Sequence, residues 1–298
     1  NLLLWTRIRR YVTFYKPTFH ETFVHLKPNL ILFIPILAIS IYRVMDKIMI
    51  KELSGILENG YYENADKIIT MALTGFSAVA TVMMPSVSSM VASGNSTKLK
   101  QLLRDSMQVS MALGIGMMFG LMAIGPVFAP LFFGKEYFES GILIQLLAVT
   151  VVISGWKVVL KSQYLIPYEK DTPYVVSLVV GAIVNVICNL YFIPRYAARG
   201  AVVGTIIAEL AGFLIQTIIA SKDINIVTLL KDALFFLPSG VIMCVLSYSI
   251  VCMVPGIVGL LLAIMIGVIS YSVLVFLSFN LFQKQRWTYL FATYLKKN

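Results

Sequence analysis

Apolar residues run through this chain in long blocks separated by short polar links. Eight blocks stand out, at about 28–50, 66–92, 107–131, 141–161, 174–193, 200–220, 233–254 and 256–279. At 1.5 Å of rise per residue, a helix of about twenty residues crosses the roughly 30 Å of hydrocarbon in a bilayer. Each block meets that length. Short loops between consecutive spans predict an up-and-down helical bundle, all-α and integral to a membrane.

Composition strengthens this picture. Hydrophobic residues make up 59% of the 298 positions and charged residues only 13%, against about a quarter in an average soluble domain. The net charge of +10 raises the question of nucleic acid. Its distribution answers with a membrane instead. Seventeen basic residues fall in the first tail, in alternate links and in the last tail, and five fall in the other links. Lys and Arg concentrate on the cytoplasmic side of membrane proteins, so both termini are expected there, and no nucleic-acid partner is expected. Cys188, Cys244 and Cys252 lie inside apolar blocks and read as small core hydrophobes. Leu281–Asn298 mixes aromatic and basic residues, as a helix lying on an anionic leaflet would. Leu2, Leu3 and Leu4 read as the stub of an earlier membrane helix.

Packing signals are also present. Gly200, Gly204 and Ala208 recur at every fourth position, as do Gly259, Ala263 and Gly267. Small residues at that spacing let helices approach closely in lipid. Pro35, Pro85 and Pro126 fall inside spans, where each removes a backbone donor and marks a place for a kink or hinge.

Polar side chains at membrane depth carry the functional expectations, because each is costly there. Arg43, Asp46 and Lys47 share a face near the outer end of the first span. They face either an internal lumen or the interface. Glu209 sits near the middle of the sixth span, in GTIIAEL, and either couples to H+ or Na+ or serves as a hydrogen-bonded structural carboxyl. Asn185 and Asn189, one turn apart, suit either sugar hydroxyls or interhelical hydrogen bonds. Lys157 and Lys161 suit a diphosphate or are ordinary inner-side cations. No zinc-protease, nucleophile-elbow, P-loop or paired-carboxylate signature occurs. Catalytic residues, a cofactor and a resident metal are therefore not expected, and the chain does not read as an enzyme.

Several ordered motifs resemble a known family. KPNLILFIPILAISIYRVMDKIMI, GYYENADKI, MMPSVSSM, QYLIPYEKDTPY and NLYFIPRYAARGAVVGT with the following AEL resemble the C-terminal lobe of bacterial polysaccharide flippases. These are the Wzx-type transporters, relatives of the MATE drug exporters. The resemblance implies a two-lobe fold of which this chain holds the second. Residues 1–27 would form an inter-lobe linker, 28–220 a six-helix lobe, 221–232 a cytoplasmic connection, 233–279 two additional helices and 280–298 a basic tail. It implies an undecaprenyl-diphosphate-linked oligosaccharide as substrate, moved across the bacterial cytoplasmic membrane by alternating access for O-antigen, capsule or exopolysaccharide assembly. The lipid bilayer, a coupling H+ or Na+, and other membrane proteins of polysaccharide assembly are the implied partners. Arg43, Lys47, Lys157, Lys161, Asn185 and Asn189 are the expected substrate contacts, with Glu209 and Asp46 as ion-coupling groups. A drug/cation antiporter of the same fold and a membrane enzyme of glycan assembly are the competing readings.

Overall fold

A computed structural model describes residues 44–93 and 96–282, with scattered positions between 15 and 40. Among the described residues the fold is all-helical, without strands. Helix α1 covers 44–54 and ends at Gly55, whose φ of 99° turns the chain into α2, Ile56–Ala92. A side chain at that φ would be strained, so glycine is required there. Next come α3 (Ser96–Phe133), a 3₁₀ turn (Lys135–Tyr137), α4 (Phe138–Leu147) and α5 (Val149–Leu160). A single π turn, Lys161–Leu165, closes α5. Then follow α6 (Asp171–Ala220), α7 (Ile226–Leu234), α8 (Leu237–Met253) and α9 (Gly256–Phe282).

Five helical stretches among the described residues are long and apolar enough to cross a membrane, and a sixth if α4 and α5, bent by 43°, count as one. One of the five is the 50-residue α6, which breaks at Ala197 (φ 49°, ψ −131°). Its two legs fold back on each other: Gln216 of the second donates to Ser177 of the first (2.9 Å), and Gly204 sits against Asn189. The fifth and sixth expected spans are therefore two antiparallel legs. The first expected span falls mostly outside the described residues, as do the Leu2–Leu4 stub, Pro35 and most of the basic tail.

The small-residue rows do pack helices. A methyl added at Gly204 would collide with the Asn189 side chain. On α9, one added at Gly267 would lie 2.6 Å from Ser247 Oγ, whose hydroxyl donates to the Ala263 carbonyl (3.1 Å). The Pro126 segment packs where α3 and α4 cross: a methyl at Gly141 would stand 2.7 Å from the Pro126 backbone. The 221–232 connection is more ordered than a simple loop. Asn225 caps α7 by accepting from the Thr228 N–H (3.2 Å), which supplies a partner to one orphan donor of the helix start. The Arg104 guanidinium grips Asp232 of α7 with two hydrogen bonds, at 2.5 and 2.9 Å.

Two apolar clusters hold the bundle. One includes Ile50, Tyr62, Leu143, Ile193 and Val202; the other includes Met107, Trp156, Tyr164, Leu229 and Phe236. Large apolar residues also face outward, for example Ile183, Ile187 and Leu190. On the same leg Asn185 and Asn189 are fully buried. A helix that is polar inside and apolar outside suits lipid as the surrounding solvent.

Candidate functional site

A chain of buried and half-buried polar groups runs beside these clusters. At one end is Asp46 of α1, 3% exposed. Its carboxylate accepts from Tyr62 Oη (2.9 Å), Asn189 Nδ2 (2.5 Å) and Thr205 Oγ1 (3.3 Å). Asn189 Nδ2 also donates to Asn185 Oδ1 (3.2 Å). Four helical segments thus converge on one carboxylate: α1, α2 and both legs of α6. Asn185 Nδ2 and Asn189 Oδ1 are buried without a hydrogen-bond partner. Buried polar atoms of this kind carry a desolvation cost.

Midway along the second leg of α6 stands Glu209. Its carboxylate pairs with Lys157 Nζ of α5 (2.6 Å) and accepts from Ser154 Oγ (2.9 Å). Both charged side chains are 16% exposed. Two cavities adjoin here. The smaller, about 100 Å³, runs from Asp46, Tyr62 and Asp66 to Thr205 and Glu209. The larger, about 280 Å³, is lined by Lys157, Lys161, Tyr174, Ser177, Glu209 and Gln216 among others. Glu209, Ser154 and Leu73 belong to both walls. Lys161 holds its ammonium 5.2 Å from the Tyr174 ring centroid, a cation–π distance.

A family model described as the lipid II flippase MurJ matches residues 4–280. The chain belongs to the MurJ family. A solved MurJ, a lipid II flippase in an inward closed conformation, superposes with a TM-score of 0.74 at 18% identity, covering 93% of this chain and 59% of that one. That likeness shows a shared transporter fold. A putative O-antigen transporter of Shigella dysenteriae is 27% identical over 190 residues, 62% of this chain and 46% of that protein. The chain thus spans about half the length of the relatives it matches. A multi-pass membrane protein of the MurJ family fits the helical expectation. The narrower Wzx-type resemblance is not shown by these matches.

Within this MurJ-type bundle the expected residues fall into groups. Asp46, Asn185 and Asn189 form one cluster, and the Asn pair turns to Asp46, not to the larger cavity. Lys157, Lys161 and Glu209 line the larger cavity together. Lys47 engages Asp66 (3.1 Å) beside the smaller one. Arg43 lies outside the described residues. Tyr62, Ser154, Thr205 and Gln216 were not singled out from sequence. One signal was available: Thr205 and Glu209 are one turn apart in GTIIAEL and share a face.

Proposed function

We propose that this chain is the C-terminal portion of a flippase that moves a polyprenyl-diphosphate-linked saccharide across the bacterial cytoplasmic membrane. It would work by alternating access against a first lobe, with both termini in the cytoplasm. The observation that carries the proposal is the buried track through a lipid-facing bundle, whose larger cavity presents Lys157 and Lys161. Ammonium groups there suit a diphosphate as point charges, while the apolar outer surface leaves the polyprenyl tail in lipid. Asp46, held by neutral donors with Asn185 and Asn189 beside it, is the group we assign to ion coupling, to H+ or Na+. Lys47, paired with Asp66 beside the smaller cavity, is the substrate contact we assign to the other end of the route.

Two saccharides are in play. The family description favours lipid II, and the Shigella relative favours an O-antigen repeat unit, the Wzx-type substrate. Family membership and the cationic cavity favour a flippase over a drug/cation antiporter, for which an acidic cavity would be expected.

The test reconstitutes the full-length protein in proteoliposomes with either lipid-linked saccharide and follows its arrival in the opposite leaflet. One of the two should move, and Lys161→Gln should slow it about tenfold, the loss of roughly 1.4 kcal/mol of diphosphate contact. Failure of both to move, or lengthening of the glycan in the vesicles, would overturn the proposal.

A further inference from the structure

Lys157 already has a partner, and that partner is the group a diphosphate would have to displace. The Glu209 carboxylate sits 2.6 Å from the Lys157 ammonium, mostly buried, in the wall of the larger cavity. In surroundings of low dielectric constant such a pair is strongly held, and each charge is costly to leave alone. A diphosphate entering the cavity brings at least two negative charges and meets Lys157, Lys161 and Glu209. With Glu209 in place, one of the two ammonium groups is already neutralised and a like charge faces the newcomer.

Glu209 also has somewhere else to go. Its carboxylate lines the smaller cavity as well, whose walls also include Thr70 and Ser154, while the Tyr62 and Thr205 hydroxyls there are engaged by Asp46. Ser154, which donates to Glu209 (2.9 Å), lines both cavities too. Glu209 therefore stands at the boundary between the two cavities.

We propose that Glu209 is a built-in competitor for the anionic head group: it occupies Lys157 when the larger cavity is empty, yields Lys157 to the diphosphate and retakes it to expel the substrate. This rests on the diphosphate reading given above. A competitor of this kind weakens binding in order to hasten release, so removing it separates affinity from turnover. A purely structural counter-ion would give no such split.

The experiment uses the full-length protein and inorganic pyrophosphate as the probe, titrated calorimetrically, together with the leaflet-transfer assay. Glu209→Gln should bind pyrophosphate about tenfold more tightly than wild type, while transfer of the lipid-linked saccharide slows and its apparent KM falls. Glu209→Asp keeps the charge but shortens the arm, and should give a smaller gain in the same direction. It also stands in if Glu209→Gln fails to accumulate in the membrane. Unchanged or weaker pyrophosphate binding in these variants, with binding retained in wild type, overturns the exchange alone. No pyrophosphate binding by wild type or either variant overturns the diphosphate reading and the exchange with it.

Discussion

Asp46 and Glu209 are two acids buried in one bundle, and they are held in opposite ways. Glu209 has an ammonium at 2.6 Å and a serine hydroxyl. Asp46 is held by a tyrosine, an asparagine amide and a threonine, all neutral. Neutral donors stabilise a carboxylate, but they do not cancel its charge, and an uncancelled charge in low dielectric is costly. The contrast underlies the roles proposed above. The site without a countercharge is the one suited to a mobile cation. The site with one is suited to an anion that takes the countercharge away. Both acids sit on the walls of the same smaller cavity, so what happens at one is felt at the other.

The largest expected effect tests the first half of that contrast. Asp46→Asn keeps the size of the side chain and removes its charge. Leaflet transfer should fall at least about a hundredfold, a barrier increase near 2.7 kcal/mol, with accumulation in the membrane nearly normal. Asp46→Ala should lose accumulation too, since Tyr62 and Asn189 would then be buried with one partner fewer, at about 1–3 kcal/mol each. Near-normal transfer by Asp46→Asn would show that the negative charge has no part in coupling.

The second half is tested by stability. Lys157→Met leaves Glu209 buried beside a methylene stem and should cost about 3–5 kcal/mol. Lys157→Met with Glu209→Met removes both charges and should recover most of that loss, because packed apolar side chains of similar volume replace a buried ion pair at little cost. Denaturation of the purified protein in detergent reads both. A double variant that loses as much as Lys157→Met alone, or more, would show that the residues do not depend on each other.

Much of this was legible in the sequence, and the reasons differ from residue to residue. Asp46, Asn185, Asn189 and Glu209 stood out because polar groups inside apolar blocks are costly and therefore rarely idle. The Gly200–Gly204 row announced close helix packing, and Gly204 does lie against Asn189. What sequence did not offer was the assembly of the Asp46 cluster. Tyr62 and Thr205 are 143 positions apart, and Thr205 and Asp46 are 159 apart, so no local spacing links them. The bend between α4 and α5 lacks a proline, and Ala148 keeps helical angles (φ −54°, ψ −29°). The turn at Ala197 was bracketed by the ends of two apolar blocks, but an alanine at positive φ carries no sequence marker of its own.

The smallest effect lies outside the spans, where solvent screens what the bundle interior amplifies. Asp223, in the link before α7, accepts from Lys170 Nζ (2.7 Å) and from the Tyr164 hydroxyl. These hydrogen bonds, Lys170's first, hold the Asp223 carboxyl below its ordinary range. A carboxylate depressed in the folded state stabilises it at neutral pH, and that contribution fades as pH falls through the lowered value. The Asp223 side chain is 54% exposed, so the gain is small and should shrink with added salt. Wild type should melt slightly above Asp223→Asn at neutral pH, and the two melting curves should converge only on acidification below the usual carboxylate range. Curves that stay parallel through that range would show that this link contributes nothing through its charge.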